Sequence, residues 1–139
     1  MVNKLYLDNF YINSIQQEVN NLNFNYVAQD NEYKDSIFQY VHNVHYDGTP
    51  LVDPILKIAK EKLNIKWATR IKVNKLLPQK ASEEQVQHLW HQDKINKGYI
   101  SLIYYVNDSD GDTVVGGYKN TPKAGEMIYF DSDLFHRPS

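Results

Sequence analysis

The sequence predicts an α+β fold in which two helices pack against a β-sandwich or jelly roll. Two stretches of helical periodicity come first, and near Trp67 the apolar period drops from about 3.6 to about 2. Short β-branched and aromatic runs, punctuated by Gly, Pro and Asp turns, fill the remainder.

Ile12, Ile15, Val19 and Leu22 recur at helical spacing with Asn13 and Ser14 as cap candidates, so a first helix is expected over 13–22. Asn23 to Tyr46 is rich in Asn, Asp and Tyr and is expected to hold irregular strands or surface loops. Asp53-Pro54 reads as a helix start, with a capping carboxylate and a proline in the first turn. Val52, Ile55, Leu56, Ala59 and Leu63 supply the apolar stripe of that second helix, to about residue 63. Trp67, Thr69, Ile71 and Val73 then alternate with polar or small residues, as in a strand. Pro78 to Gln85 is a polar loop, and Val86 to Asp93 a second strand. Tyr99 to Asn107 (YISLIYYVN) carries the strongest strand signal, followed by an Asp108–Gly111 turn and a short strand about Thr113–Val115. A Pro122–Gly125 turn leads into a strand over Glu126–Phe130.

The chain has 139 residues, 42% of them hydrophobic, which suits one domain spanning 1–139 with one core. It has no cysteine, so disulfides, zinc–cysteine sites and thiol nucleophiles are excluded. No apolar run is long enough to span a membrane, and the N-terminal stretch has no signal-peptide core, so a cytoplasmic protein is expected. A net charge of −2 with dispersed Lys and Arg leaves no basic footprint, and a nucleic-acid partner is not expected.

His91 and Asp93 stand two apart on an extended segment, which puts both side chains on one face. His136, from a distant strand, would complete a 2-His-1-carboxylate set that suits non-haem Fe(II) and leaves open positions on the metal. His-x-Asp alone is a weak motif, since chance matches are common. His88 competes with His91, and His42 and His45 sit in a polar segment; all three are best read as ordinary surface histidines. Trp90 reads as packing or a pocket wall. Asp108, Asp110 and Asp112 imitate a calcium loop, but Thr113 and Lys119 occupy the positions that need Gly and Glu, so turn capping explains them better.

The stretches RIKVN, WHQD, LIYYVNDSDGDT and PKAGEMIYFDSDLFH, in that order, resemble the Fe(II)/2-oxoglutarate dioxygenase superfamily, closest to its prolyl 4-hydroxylase-like branch and similar phage-encoded oxygenases. They lie in the part of the chain from about Arg70 onwards. The resemblance implies a double-stranded β-helix buttressed by N-terminal helices, with iron held by His91, Asp93 and His136 and with 2-oxoglutarate and O₂ as co-substrates, ascorbate supporting turnover. It implies that Tyr105 donates to the distal carboxylate of 2-oxoglutarate, and that the substrate is a prolyl residue of a peptide or protein. A nucleobase, a small metabolite or a silent peptide-binding jelly roll is the alternative.

Two departures stand out. Relatives place a cation for the 2-oxoglutarate tail on the last strand, whereas this chain stops soon after His136, so a missing final strand is expected. Lys72 and Arg70, which share a strand face with Asn74, are better substitutes than Arg137, which should point away by alternation. Leu77 stands where relatives often carry a co-substrate tyrosine.

Overall fold

The computed structural model describes residues 1–23, 25–27, 39–43, 50–66, 68, 70–76, 90–93 and 98–138. In chain order the elements are β1 (Asn3–Tyr6), α1 (Asn9–Asn20), β2 (Asn25–Val27), β3 (Gln39–Asn43), a 3-10 turn at Pro50–Val52 and α2 (Asp53–Leu63). There follow β4 (Lys72–Leu76), β5 (Ile100–Tyr104), β6 (Thr113–Val115), β7 (Tyr118–Asn120), β8 (Glu126–Asp131) and β9 (His136–Pro138). The fold is mixed α+β, and among the described residues all strand pairs are antiparallel. The chain divides into two compact units, Met1–Ile12 with His88–Ser139, and Asn13–Gln87.

In the first unit, β8 is the centre of a sheet ordered β1-β8-β5, and β6 the centre of a second ordered β7-β6-β9. Registers Ser101↔Phe130 and Ile103↔Ile128 put Ser101, Ile103, Ile128 and Phe130 on one face, and alternation extends it to Tyr105. That face meets the second sheet: Tyr105, Ile128 and Phe130 cluster with Val115 of β6. Two polar contacts stitch the same faces, Tyr105 Oη to Thr113 Oγ1 at 2.7 Å and Asn120 Nδ2 to Glu126 Oε1 at 2.8 Å. Glu126 also pairs with Lys4 at 3.5 Å, so this buried carboxylate has both a cation and an amide. Met127, Ile128 and Phe130 are the largest fully buried side chains, each stabilising the unit by about 1.5–3 kcal/mol as an upper bound.

In the second unit β3 lies between β2 and β4, and α2 follows the 3-10 turn. Pro54 occupies the first turn of α2, and Asn64 ends it in the left-handed conformation (φ 54°, ψ 37°).

Two expectations need correction, and two more fall partly outside the described residues. Helix α1 starts at Asn9, ahead of Asn13, because the Asp8 carboxylate accepts the Phe10 N–H at 2.9 Å and so caps it; Asn13 and Ser14 lie inside the helix. Asp53 lies within the first turn of α2, and the capping position is Val52, which makes no side-chain cap. The strand expected from Trp67 is β4, from Lys72; Trp67 and Thr69 lie outside the described residues. Of the strand expected over Val86–Asp93, only 90–93 are described, and they hold a single bridge from His91 to His136. The loop 78–85, His45, His88 and Leu77 also lie outside the described residues. β1, β7 and β9 were not anticipated, since Asn3–Tyr6, Tyr118–Asn120 and His136–Pro138 carry neither β-branched residues nor apolar alternation.

Gly125 joins β1 to β5: its N–H donates to Tyr105 O at 2.9 Å and its carbonyl accepts Leu7 N–H at 2.8 Å. It has φ +87°, and an added Cβ would lie 2.9 Å from Ile12 Cγ1 and closer still to Cδ1. Gly125→Ala is therefore expected to cost about 2–4 kcal/mol, from backbone strain plus overpacking. Urea unfolding measures it, and trimming Ile12 to Val in the double mutant should return only the steric share. A loss below about 0.5 kcal/mol would mean that the turn is not as described.

Candidate metal centre

His91 and His136 form a hydrogen-bonded antiparallel pair, with His91 N–H on His136 O at 3.0 Å and the reverse bond at 2.9 Å. Such a pair places both side chains on one face, and the ring centroids are 4.2 Å apart. In an unbroken register Asp93 would lie opposite Leu134. Its N–H instead donates to Ser132 O at 3.1 Å, because the Asp131–Leu134 turn (Leu134 N–H on Asp131 O, 3.0 Å) takes up the extra residues. The chain bends at Asp93, so bulged pairing rather than simple alternation brings its carboxylate to the histidines.

Asp93 Oδ1 lies 3.4 Å from His136 Nε2 and 3.8 Å from His91 Nε2. One ligand atom from each of the three residues lies within 4.8 Å of the others, a spacing that a single ion can bridge. The side chain of His136 is 6% exposed and that of His91 38%, so the cluster opens on the His91 side. His136 packs edge-on against Phe130, and its Nδ1 lies 3.0 Å from the Leu134 carbonyl. A carbonyl only accepts, so Nδ1 carries a proton; Nε2 faces Asp93, donating to it when the ring is protonated and offering the lone pair that a metal would take when the ring is neutral. Ser101 Oγ donates to Asp93 Oδ2 at 2.5 Å.

Burial pushes the Asp93 carboxyl up, but hydrogen bonds from His136 and Ser101 and the nearby histidine charges outweigh it and hold the group well below the usual range. Burial pushes His136 down, and its bonds to Asp93 and Leu134 more than offset this, so it titrates above the ordinary 6.5. In the metal-free protein the Asp93 contribution is present above its ordinary 3.8 and is lost as pH falls through the depressed value. The His136 contribution is full below 6.5 and is lost as pH rises through the raised value. A metal must displace that proton. Divalent-metal affinity is therefore expected to fall by at least about tenfold between pH 8 and pH 6, measured by Mn(II) titration. A flat profile would remove His136 from the ligand set.

Tyr105 is buried at the end of β5, on the face of Ser101, with its hydroxyl on Thr113. Lys72 and Asn74 lie on β4, in the second unit, and His91, Asp93 and His136 in the first. Arg137 lies over the Trp90 ring at 4.9 Å, away from the metal face, and Trp90 is 43% exposed. His42 is on β3, opposite Val73. Asp108 caps the Ala124 N–H at 2.8 Å and Asp112 accepts the Thr121 hydroxyl at 2.8 Å, as turn residues do. Ser101 and Ser132 escaped the sequence reading. A lone hydroxyl on the inward face of an otherwise apolar strand was the available signal for Ser101.

Among the described residues, no helix is long and apolar enough to cross a membrane. No protein-family model, curated protein or solved structure matches the chain.

Proposed function

We propose that the protein is an Fe(II)- and 2-oxoglutarate-dependent dioxygenase of the prolyl 4-hydroxylase-like type, with the facing sheets of its first unit belonging to a double-stranded β-helix. The observation that supports this is the convergence of His91, Asp93 and His136, two neutral nitrogens and one carboxylate, from two distant parts of the chain. The donor set fits Fe(II), because mixed N/O ligands suit that ion and three of them leave positions for a co-substrate and O₂. When bound, iron with 2-oxoglutarate and O₂ supplies the oxidising power to hydroxylate an unactivated C–H bond.

The chain's own residues have simpler tasks. His136 and Asp93 hold ligand atoms in a fixed geometry, and Phe130 walls off the buried side of the site. Tyr105 is proposed to offer its hydroxyl to the distal carboxylate of 2-oxoglutarate, exchanging or sharing its bond to Thr113. A prolyl side chain of a peptide or protein is the proposed substrate, on the resemblance alone.

The test is succinate formation from 2-oxoglutarate with Fe(II) and ascorbate, alone and with prolyl peptides, nucleosides or free amino acids. Succinate from the native protein and none from His136→Ala is the expected result. Tight iron binding without succinate under any of these conditions would overturn the dioxygenase assignment and leave a metal-binding module.

A further inference from the structure

The two oxygens of Asp93 face different partners. Oδ1 lies towards both histidine Nε2 atoms, at 3.4 and 3.8 Å, whereas Oδ2 accepts the Ser101 hydroxyl. A serine hydroxyl has one proton to give. Ser101 gives its proton to Asp93, so its 2.9 Å contact with Ser132 Oγ runs the other way, with Ser132 as donor. Ser132 is tied through its backbone as well: its N–H donates to Tyr99 O at 3.0 Å and its carbonyl accepts the Asp93 N–H at 3.1 Å. Both serines are buried, at 8% and 3% exposure, so water competes poorly for these bonds. A hydroxyl bonded to a carboxylate oxygen in such a setting is among the stronger hydrogen bonds a protein makes.

We propose that Ser101, backed by Ser132, is a positioning residue that makes Asp93 a one-oxygen ligand, presenting Oδ1 to the metal and withholding Oδ2. This rests on the metal-site reading above. Carboxylates bind ions through one oxygen or two. An unrestrained Asp93 would turn Oδ2 onto the ion and close one of the positions that a co-substrate needs. The serine pair keeps that position open.

The test uses Mn(II) alone and counts the exchangeable waters on the bound ion by water-proton relaxation, a readout that simple loss of packing would not move. With three protein ligand atoms on a six-coordinate ion, the native protein should retain about three waters. Ser101→Ala is expected to keep its Mn(II) affinity within about threefold while relaxation per bound ion falls by about one third, as Asp93 takes a second position. Ser101→Thr keeps the hydroxyl and should restore the native value. If Ser101→Ala does not fold, Ser101→Cys keeps a similar shape with only a weak donor, and the same loss of one water is expected. An unchanged water count in folded Ser101→Ala or Ser101→Cys overturns the proposal while leaving the metal site intact. So does loss of Mn(II) binding in a folded variant, since Asp93 would then need Ser101 in order to ligate at all. If the native protein itself binds no Mn(II), the metal-site reading fails, and this inference with it.

Discussion

His136→Ala is expected to weaken divalent-metal binding by more than about 100-fold, because removing a ligand should exceed the 10- to 100-fold loss typical of residues that only support one. Three ligands give no redundancy, and His136 is the most buried of them. The substitution also leaves the Leu134 carbonyl and the Asp93 carboxylate each without a partner they now have, at a stability cost of about 1–3 kcal/mol. Lost metal binding could therefore be confused with damage to the fold. His91→Ala separates the two: its ring is more exposed, and its backbone pairing with His136 survives the substitution. It should lose metal binding to a similar degree with little change in melting temperature. Calorimetric titration of Mn(II) or Co(II) into both variants measures this. Native-like affinity in His91→Ala would mean that the three side chains converge for structural reasons.

Phe130→Ala should carry the largest stability loss of any single substitution in the first unit, about 3–5 kcal/mol. Phe130 is 2% exposed, sits in the cluster with Tyr105, Val115 and Ile128, and leaves an aromatic-sized void when truncated. Against a typical total of about 5–15 kcal/mol, such a loss brings the protein close to unfolding. Because its ring meets that of His136 edge-on at 4.9 Å, the variant should also bind metal less tightly, by about tenfold, as the imidazole gains freedom. Phe130→Leu fills most of the void and should show a smaller loss of both. Urea unfolding without metal and titration with metal give the two quantities independently. A loss below about 1 kcal/mol in Phe130→Ala would contradict the packing of the two sheets.

Legibility in the sequence followed the range over which each signal acts. The apolar stripe of Asp53–Leu63, the β-branched and aromatic run of Ile100–Tyr104 and the apolar run within Glu126–Asp131 are decided by neighbours a few residues apart, and each formed where its pattern lies. The cap of the first helix was misplaced, because Asn13 and Ser14 are as good by type as Asp8, and only the bond to Phe10 N–H tells them apart. The short strands β1 and β9 owe their existence to partners, Glu126–Tyr129 and Thr113–Val115, that are remote in the chain.

The candidate site divides in the same way. By itself the sequence pointed to His91, Asp93 and His136 as one cluster, and the structure brings one donor atom of each within 4.8 Å of the others. The sequence also determined the face shared by Ser101, Ile103 and Tyr105, because strand parity is a local property. Only the tertiary structure decided how Asp93 reaches the histidines, since the bulge opposite it depends on a turn some forty residues away in sequence. Tertiary structure likewise decided that Ser101 and Ser132 hold Oδ2, and that Tyr105 meets Thr113. Hydrogen bonds across a sheet pair depend on register and sheet approach, and no periodicity in a single chain encodes those.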